Sequence, residues 1–116
     1  MNKIENRRPG RPQASRIRER LREILSCIDN ATGYDLHKIY VEVYGKVTIR
    51  SIYYNLHTGV LIGYFNIESI KQEQGEFSWG SEVEKKYYSI NPKGKRTISN
   101  ELKERIVSVA KTRLKS

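Results

Sequence analysis

Residues 47–57 read Val47-Thr48-Ile49-Arg50-Ser51-Ile52-Tyr53-Tyr54-Asn55-Leu56-His57. At about 100° per residue, an α-helix places the apolar members of this stretch on one side: Ile49, Ile52, Tyr53 and Leu56. The opposite side carries polar groups and no carboxylate: Arg50, Ser51, Tyr54, Asn55 and His57. All of these groups can form hydrogen bonds with base edges or phosphate oxygens. The stretch therefore predicts a short helix that packs on one side and can bind nucleic acid with the other.

Two more helices are predicted before this one. The first is expected to begin at a Ser15 cap and to run to about Ile28, because apolar residues recur there at helical spacing. Thr32, followed three residues later by Asp35, resembles a capping box at the start of the second helix. We expect Gly45 to end that helix in the left-handed conformation.

A different composition follows the third helix. Residues 60–71 and 82–90 are rich in β-branched and aromatic side chains, and the polar residues 72–81 lie between them. This pattern predicts a β-hairpin. A last helix is expected from a Ser99 cap to about Leu114. The predicted fold class is therefore α+β, mainly α: a winged helix-turn-helix of three helices and a two-stranded β-wing, followed by a C-terminal helix for dimerisation.

The positive charge of the chain is concentrated at its two ends. The chain has 116 residues and a net charge of +9, and residues 1–22 and 93–116 each hold eight basic against two acidic residues. Residues 23–92 hold six against nine. Basic ends of this kind attract polyanions, although they also serve solubility.

We divide the chain into three parts on these grounds. Residues 1–14 are predicted to form a flexible basic arm, since they lack apolar periodicity and contain two prolines and a glycine close together. Residues 15–95 should form the winged helix-turn-helix domain, and residues 96–116 the C-terminal helix.

The arm contains the run Arg7-Arg8-Pro9-Gly10-Arg11-Pro12. Its Gly-Arg-Pro core is similar to that of an AT-hook, which lies extended in a narrow minor groove, but Pro9 stands where an AT-hook has arginine. Three readings stay open: a minor-groove role for Arg7, Arg8 and Arg11, contact with phosphates alone, or a disordered tail.

The composition argues against several other classes of protein. Cys27 is the only cysteine, so neither an intrachain disulfide nor a cysteine metal site is expected. His37 and His57 lie on different predicted helices without a matching nucleophile, and no glycine-rich phosphate loop is present. We therefore expect no enzyme activity, no metal and no cofactor. Since no apolar run approaches the length of a membrane span and no signal peptide is recognisable, a cytoplasmic, nucleoid-associated protein is expected.

Three motifs resemble those of PadR-like winged-helix regulators. They are Thr32-Gly33-Tyr34-Asp35-Leu36, then Arg50-Ser51-Ile52-Tyr53-Tyr54-Asn55-Leu56 with Gly59-Val60-Leu61, and Lys86-Tyr87-Tyr88-Ser89-Ile90-Asn91-Pro92-Lys93-Gly94-Lys95. The resemblance implies a homodimeric, DNA-binding transcriptional regulator whose C-terminal helix serves dimerisation. The basic arm and the segment Phe77-Ser78-Trp79-Gly80 depart from the family pattern.

The candidate site residues follow from the polar helix face and from this resemblance. On the recognition helix, expected at residues 48–58, they are Lys46, Thr48, Arg50, Ser51, Tyr54, Asn55 and His57. Lys85 and Lys86 on the wing are expected either at the DNA backbone or on a solvated strand, since Glu82 and Glu84 lie beside them. Lys93, Lys95 and Arg96, near the base of the wing, should add phosphate affinity. The candidate dimerisation residues are Leu102, Ile106, Val109 and Ala110, with packing inside the chain as the alternative.

The expected function is that of a sequence-preferring regulator that binds double-stranded DNA as a homodimer. The recognition helix would enter the major groove, and the arm and wing would contact the backbone or the minor groove. An architectural DNA-binding protein with little sequence preference is the first alternative, and a protein-interaction module is the second. A small-molecule effector is possible, but no residue indicates its class.

Overall fold

The computed structural model of the chain describes residues 14–73 and 82–114. These residues form an α+β, mainly helical fold with four α-helices and a two-stranded antiparallel sheet, which confirms the coarse prediction. The elements are α1 (Ala14–Leu25), α2 (Gly33–Val43), α3 (Ile49–Leu61), β1 (Phe65–Glu73), β2 (Glu82–Ile90) and α4 (Asn100–Arg113), with a short 3-10 turn at Pro92–Gly94. No helix in the described ranges is long and apolar enough to cross a membrane.

Helix α1 contributes one buried apolar stripe to the core: Ile17, Leu21, Ile24 and Leu25. The predicted cap is wrong, because Ser15 already lies inside the helix. The predicted end near Ile28 is also too late. After Leu25 the chain tightens into a turn, in which the Cys27 amide donates to the Ile24 carbonyl at 2.9 Å.

The predicted boundaries of α2 are confirmed. The Asp35 amide donates to Thr32 Oγ1 at 3.1 Å, and the Thr32 amide donates to the Asp35 carboxylate at 3.4 Å, so the capping box is complete. Gly45, just beyond the C-cap Tyr44, has a φ of 118°, which a residue with a Cβ rarely adopts.

Helix α3 is longer than predicted, and the strand after it begins later. Gly59 lies within the helix, and the turn that ends the helix is made by Gly63, whose φ is 90°. A Cβ on Gly59 would overlap the ring of Phe65, which packs there and is buried. Gly59 thus serves close packing of β1 on α3, and the sequence prediction confused this role with that of a helix stop.

The hairpin strands pair in register from Phe65 opposite Ile90 to Glu73 opposite Glu82. On its other edge, β2 forms one isolated bridge with the turn between α1 and α2. Ala31 donates to the Tyr88 carbonyl at 3.1 Å and accepts from the Tyr88 amide at 2.8 Å. This bridge fixes the hairpin against the start of α2.

Helix α4 packs mainly against α2 and completes the core. Ser99 caps it as predicted. Ile106 is completely buried within its own chain, so the expectation that it contacts a second copy is wrong. Leu102, Val109 and Ala110 are partly buried against the same core. The apolar stripe of α4 therefore serves mostly internal packing.

Candidate nucleic-acid interface

The outer face of α3 presents a stripe of four side chains one helical turn apart: Arg50, Tyr54, His57 and Leu61, all exposed. Tyr54 is 60% exposed and Leu61 71%. We call this set the α3 stripe. It carries a cation, a phenol and an imidazole, and no carboxylate.

The start of α3 adds further polar groups beside the stripe. Thr48 caps the helix by accepting from the Ser51 amide at 3.1 Å, and its hydroxyl donates to Ser51 Oγ at 3.0 Å. Lys46 and Thr48 are exposed, and Ser51 is half-buried. The structure thus brings together six of the seven residues predicted for the recognition helix.

Asn55 is the exception, and its predicted exposure is wrong. Its side chain is 1% exposed. The Oδ1 atom accepts from the Arg18 guanidinium at 2.9 Å, and Nδ2 donates to the Ser51 carbonyl at 2.9 Å. Since both ends of the amide have partners inside the fold, Asn55 cannot read a base. Its position on the helix faces α1, at the boundary between the two predicted faces.

Two residues expected in the core lie at the surface instead. Ile49 and Tyr53 are exposed, Tyr53 by 44%. The Tyr53 ring lies so close to Gly33 at the start of α2 that a Cβ there would overlap it. Tyr53 therefore packs against α2 with one part of its ring and leaves the other part accessible to solvent.

A groove of about 340 Å³ separates the start of α1 from α3. It is lined by Ala14, Ile17, Arg50, Ser51, Tyr54 and Asn55. Ala14 is the first described residue, so the chain that carries Arg7, Arg8 and Arg11 joins the fold beside the α3 stripe. Those three arginines lie outside the described residues.

A second groove, of about 460 Å³, lies on the opposite flank of α3. We call it the tyrosine groove, since its lining is Thr32, Tyr34, Asp35, Tyr53, Lys86, Tyr87 and Tyr88. Tyr34 is 59% exposed, and Lys38 Nζ lies 4.7 Å from the centre of its ring. Burial, and after it the neighbouring Tyr53, raises the pKa of Tyr88 above its ordinary value.

The tyrosine groove contains one of the two predicted wing lysines. Lys86 is exposed and lines it, whereas the side chain of Lys85 lies outside the described part of the chain. The sequence prediction did not include Tyr34 and treated Tyr53 as a packing residue. An aromatic residue in the first turn of α2, with the run Lys86-Tyr87-Tyr88 on β2, was the available signal.

Several arginines near the two ends of the chain are committed to internal contacts. Arg22 donates to the Gly94 carbonyl at 2.9 Å and to Glu19 at 2.7 Å, and its guanidinium lies 4.1 Å from the centre of the Tyr64 ring. Arg96 also pairs with Glu19. Arg96 is half-buried in this ion pair, while Lys93 and Lys95 are exposed.

The two histidines lie on different helices, His37 on α2 and His57 on α3. His37 Nε2 donates to the Val47 carbonyl at 2.9 Å, which ties α2 to the turn before α3. His57 lies on the α3 stripe. Among the described residues, no group of three or more His, Cys, Asp or Glu side chains is placed to hold a metal ion.

Comparisons of the chain with known protein families, with curated proteins and with solved structures find no significant match.

Proposed function

We propose that the protein is a transcriptional regulator that binds double-stranded DNA through a winged helix-turn-helix domain, with α3 as the recognition helix in the major groove. The order of three helices and a hairpin supports this proposal, as does the bridge from Ala31 to Tyr88. That bridge holds the hairpin beside the α2–α3 pair, where a wing would lie.

The α3 stripe is the observation that carries the proposal. Its members project from the fold, while Ile52 and Leu56 on the opposite side of α3 are fully buried. A helix anchored in this way can enter the major groove, and Arg50 can bind the O6 and N7 atoms of guanine with two hydrogen bonds. The absence of a carboxylate on the stripe avoids repulsion by phosphates.

Basic groups near this stripe would hold the protein on DNA. Ala14, where the described chain begins, lines the groove beside Arg50 and Tyr54. In this proposal the arm, residues 1–14, follows the duplex from there into the neighbouring minor groove. Lys86 on β2 lies on the other flank of α3.

A homodimer is part of the proposal, since a two-fold axis would present two recognition helices to successive major grooves about 34 Å apart. The contact would use the outer face of α4, where Glu101, Glu104, Arg105, Ser108 and Val109 line a shallow depression. Ile106 takes no part in it, because its side chain lies on the inner face of α4 and is completely buried.

One observation favours a second candidate, an architectural protein with little sequence preference. The α3 stripe carries a single formal charge, that of Arg50, whereas the arm, residues 1–14, holds four basic residues against one acidic residue, a net charge of +3. Because charge neutralisation dominates non-specific affinity, such a chain can bind DNA mainly through its arm.

A selection from random duplexes, followed by footprinting of the bound pool, tests the proposal and separates the two candidates. A regulator enriches one motif and protects it as a discrete, two-fold symmetric site. An architectural protein is retarded on all duplexes without enrichment. If the chain retards no duplex at low salt, both DNA-binding candidates are wrong and a protein-interaction module is favoured.

A further inference from the structure

The tyrosine groove lies between the two elements that the proposed function places on DNA. Tyr53 on its near side belongs to α3, and Lys86 on its far side belongs to β2. On the helical wheel, Tyr53 adjoins the α3 stripe on the flank opposite to Ser51 and Asn55. Any DNA strand that runs from the stripe to the hairpin therefore passes over this groove.

We propose that the tyrosine groove binds the phosphodiester backbone of the duplex, with Tyr34, Tyr53 and Lys86 as the phosphate-binding residues. This inference rests on the proposed function and adds a binding site that the α3 stripe does not include. Tyr34 and Tyr53 offer neutral hydroxyl donors, and Lys86 offers a charge. Hydroxyl groups and lysine are typical phosphate contacts, which position a protein on DNA without reading its sequence.

The charge around the groove fits an anion. Lys38 lies against the Tyr34 ring, so it adds a second cation at the same edge. Asp35 is the carboxylate in the lining, and it already accepts from the Thr32 amide within the capping box. This hydrogen bond directs Asp35 toward the start of α2.

The edge of β2 supplies a further donor. Along an antiparallel strand, the backbone groups of alternate residues point to the same edge. The Tyr88 amide donates to Ala31, so the amide of Lys86 points to the same outer edge of β2, and Lys86 also lines the groove. Both the side chain and the backbone of Lys86 are therefore placed for the same ligand.

Three variants test the proposal on the duplex obtained from the selection and on a scrambled duplex. Tyr34→Phe and Tyr53→Phe remove only the hydroxyl and keep the ring, including the contact of Tyr53 with Gly33. Each should weaken binding of both duplexes to a similar extent, by about tenfold, since each loses one hydrogen bond to a charged group. Lys86→Gln should lower the slope of log affinity against log salt by about 1.

Matched controls are Tyr64→Phe, whose ring lies against Arg22, and Lys111→Gln on α4; both should bind DNA like the unaltered chain. Duplexes with one neutral methylphosphonate then locate the contact. Tyr34→Phe should weaken binding of each of these duplexes except one. The exception is the duplex whose methylphosphonate replaces the phosphate that Tyr34 contacts.

The outcomes separate this inference from the proposed function. If Arg50→Ala impairs binding of the selected duplex while the three groove variants match the controls, the groove inference is overturned and the function stands. If the unaltered chain binds no duplex, both are overturned. If the groove variants lose affinity for the selected duplex but not for the scrambled one, the groove reads bases. That result would also overturn the proposed role in phosphate binding.

Discussion

The Arg18 guanidinium donates a hydrogen bond to Asn55 Oδ1 at 2.9 Å and so joins α1 to α3. Through its Nδ2 atom, the same amide donates to the carbonyl of Ser51, one turn earlier in α3. This chain of contacts fixes the rotation of α3 against α1. It therefore decides which residues of α3 face outward as the α3 stripe.

We expect Asn55→Ala to lower the free energy of unfolding by about 1–3 kcal/mol, because it removes a buried amide that is hydrogen-bonded to the half-buried Arg18 and to the Ser51 carbonyl. Tyr54→Ala, on the exposed stripe, should change it by less than about 0.5 kcal/mol. Urea denaturation of the two variants measures the difference. Equal values for both would contradict a structural role of Asn55.

Gly94 should tolerate a methyl group much less well than Gly33. A Cβ on Gly94 would lie 2.7 Å from the Cα of Tyr64, and backbone cannot move aside cheaply. The nearest atoms to a Cβ on Gly33 belong to the ring of Tyr53, which is exposed and can rotate away. We expect Gly94→Ala to cost about 1–3 kcal/mol of stability, and Gly33→Ala to cost clearly less in the same thermal or urea unfolding measurement. A larger loss of stability in Gly33→Ala than in Gly94→Ala would contradict the close packing of Gly94 on the Tyr64 backbone.

Glu19 should make stability depend on pH in the acidic range. Burial alone raises the pKa of its carboxyl, but the hydrogen bonds and charges of Arg22 and Arg96 outweigh burial and leave the pKa below its usual value. A lowered pKa contributes stability that is present above the ordinary glutamate value and is lost as pH falls through the lowered one. Since Glu19 is partly exposed, we expect a contribution of no more than about 1 kcal/mol.

Urea unfolding of Glu19→Gln from neutral to acidic pH checks this expectation. The variant should be less stable than the unaltered chain at neutral pH, and the difference should shrink on acidification. Glu68→Gln, at an exposed position of β1, is the control and should show no such trend. A constant difference across the range would contradict the ion-pair cluster.

The proposed homodimer gives a prediction about α4. Ser108 is exposed, and its neighbours Glu101 and Glu104 line the same depression. Ser108→Glu should add repulsion across a two-fold contact and shift the sedimentation equilibrium toward monomer. Asn30→Glu, in the turn after α1, should leave it unchanged. If Ser108→Glu leaves the fraction of dimer unchanged, the dimer contact does not involve this face of α4.

Three of the four predicted helix caps are confirmed, because a cap acts locally; the predicted Ser15 cap of α1 is the exception. Thr32, Thr48 and Ser99 each stand directly before an apolar-periodic run, and their hydroxyls accept from amides three residues later in the structure. The order of helices and strands was predictable for the same reason, since each periodicity is set within its own segment. The candidate site on α3 followed largely from that local pattern.

The predictions from the sequence failed where contacts between distant segments decide the surroundings of a residue. Asn55 lies between the two faces of α3, and only the position of Arg18 on α1 shows that it faces inward. Gly59 and Gly63 both resemble helix stops, and only the packing of Phe65 assigns Gly59 to the helix. From the sequence alone, Ile106 could pack against a second copy or in the chain's own core. Only the position of α2 beside α4 shows that it packs in the core.

The most direct test of the central claim, that the α3 stripe reads DNA, compares Arg50→Ala with the unaltered chain by fluorescence anisotropy. Both proteins are titrated with the selected duplex and with a scrambled duplex at several salt concentrations, with Arg113→Ala, whose guanidinium pairs with Glu42 on α2, as the control. We predict that Arg50→Ala loses about 1–3 kcal/mol of affinity for the selected duplex and much less for the scrambled one, while the control matches the unaltered chain. Equal affinities of Arg50→Ala and the unaltered chain for the selected duplex would contradict the account.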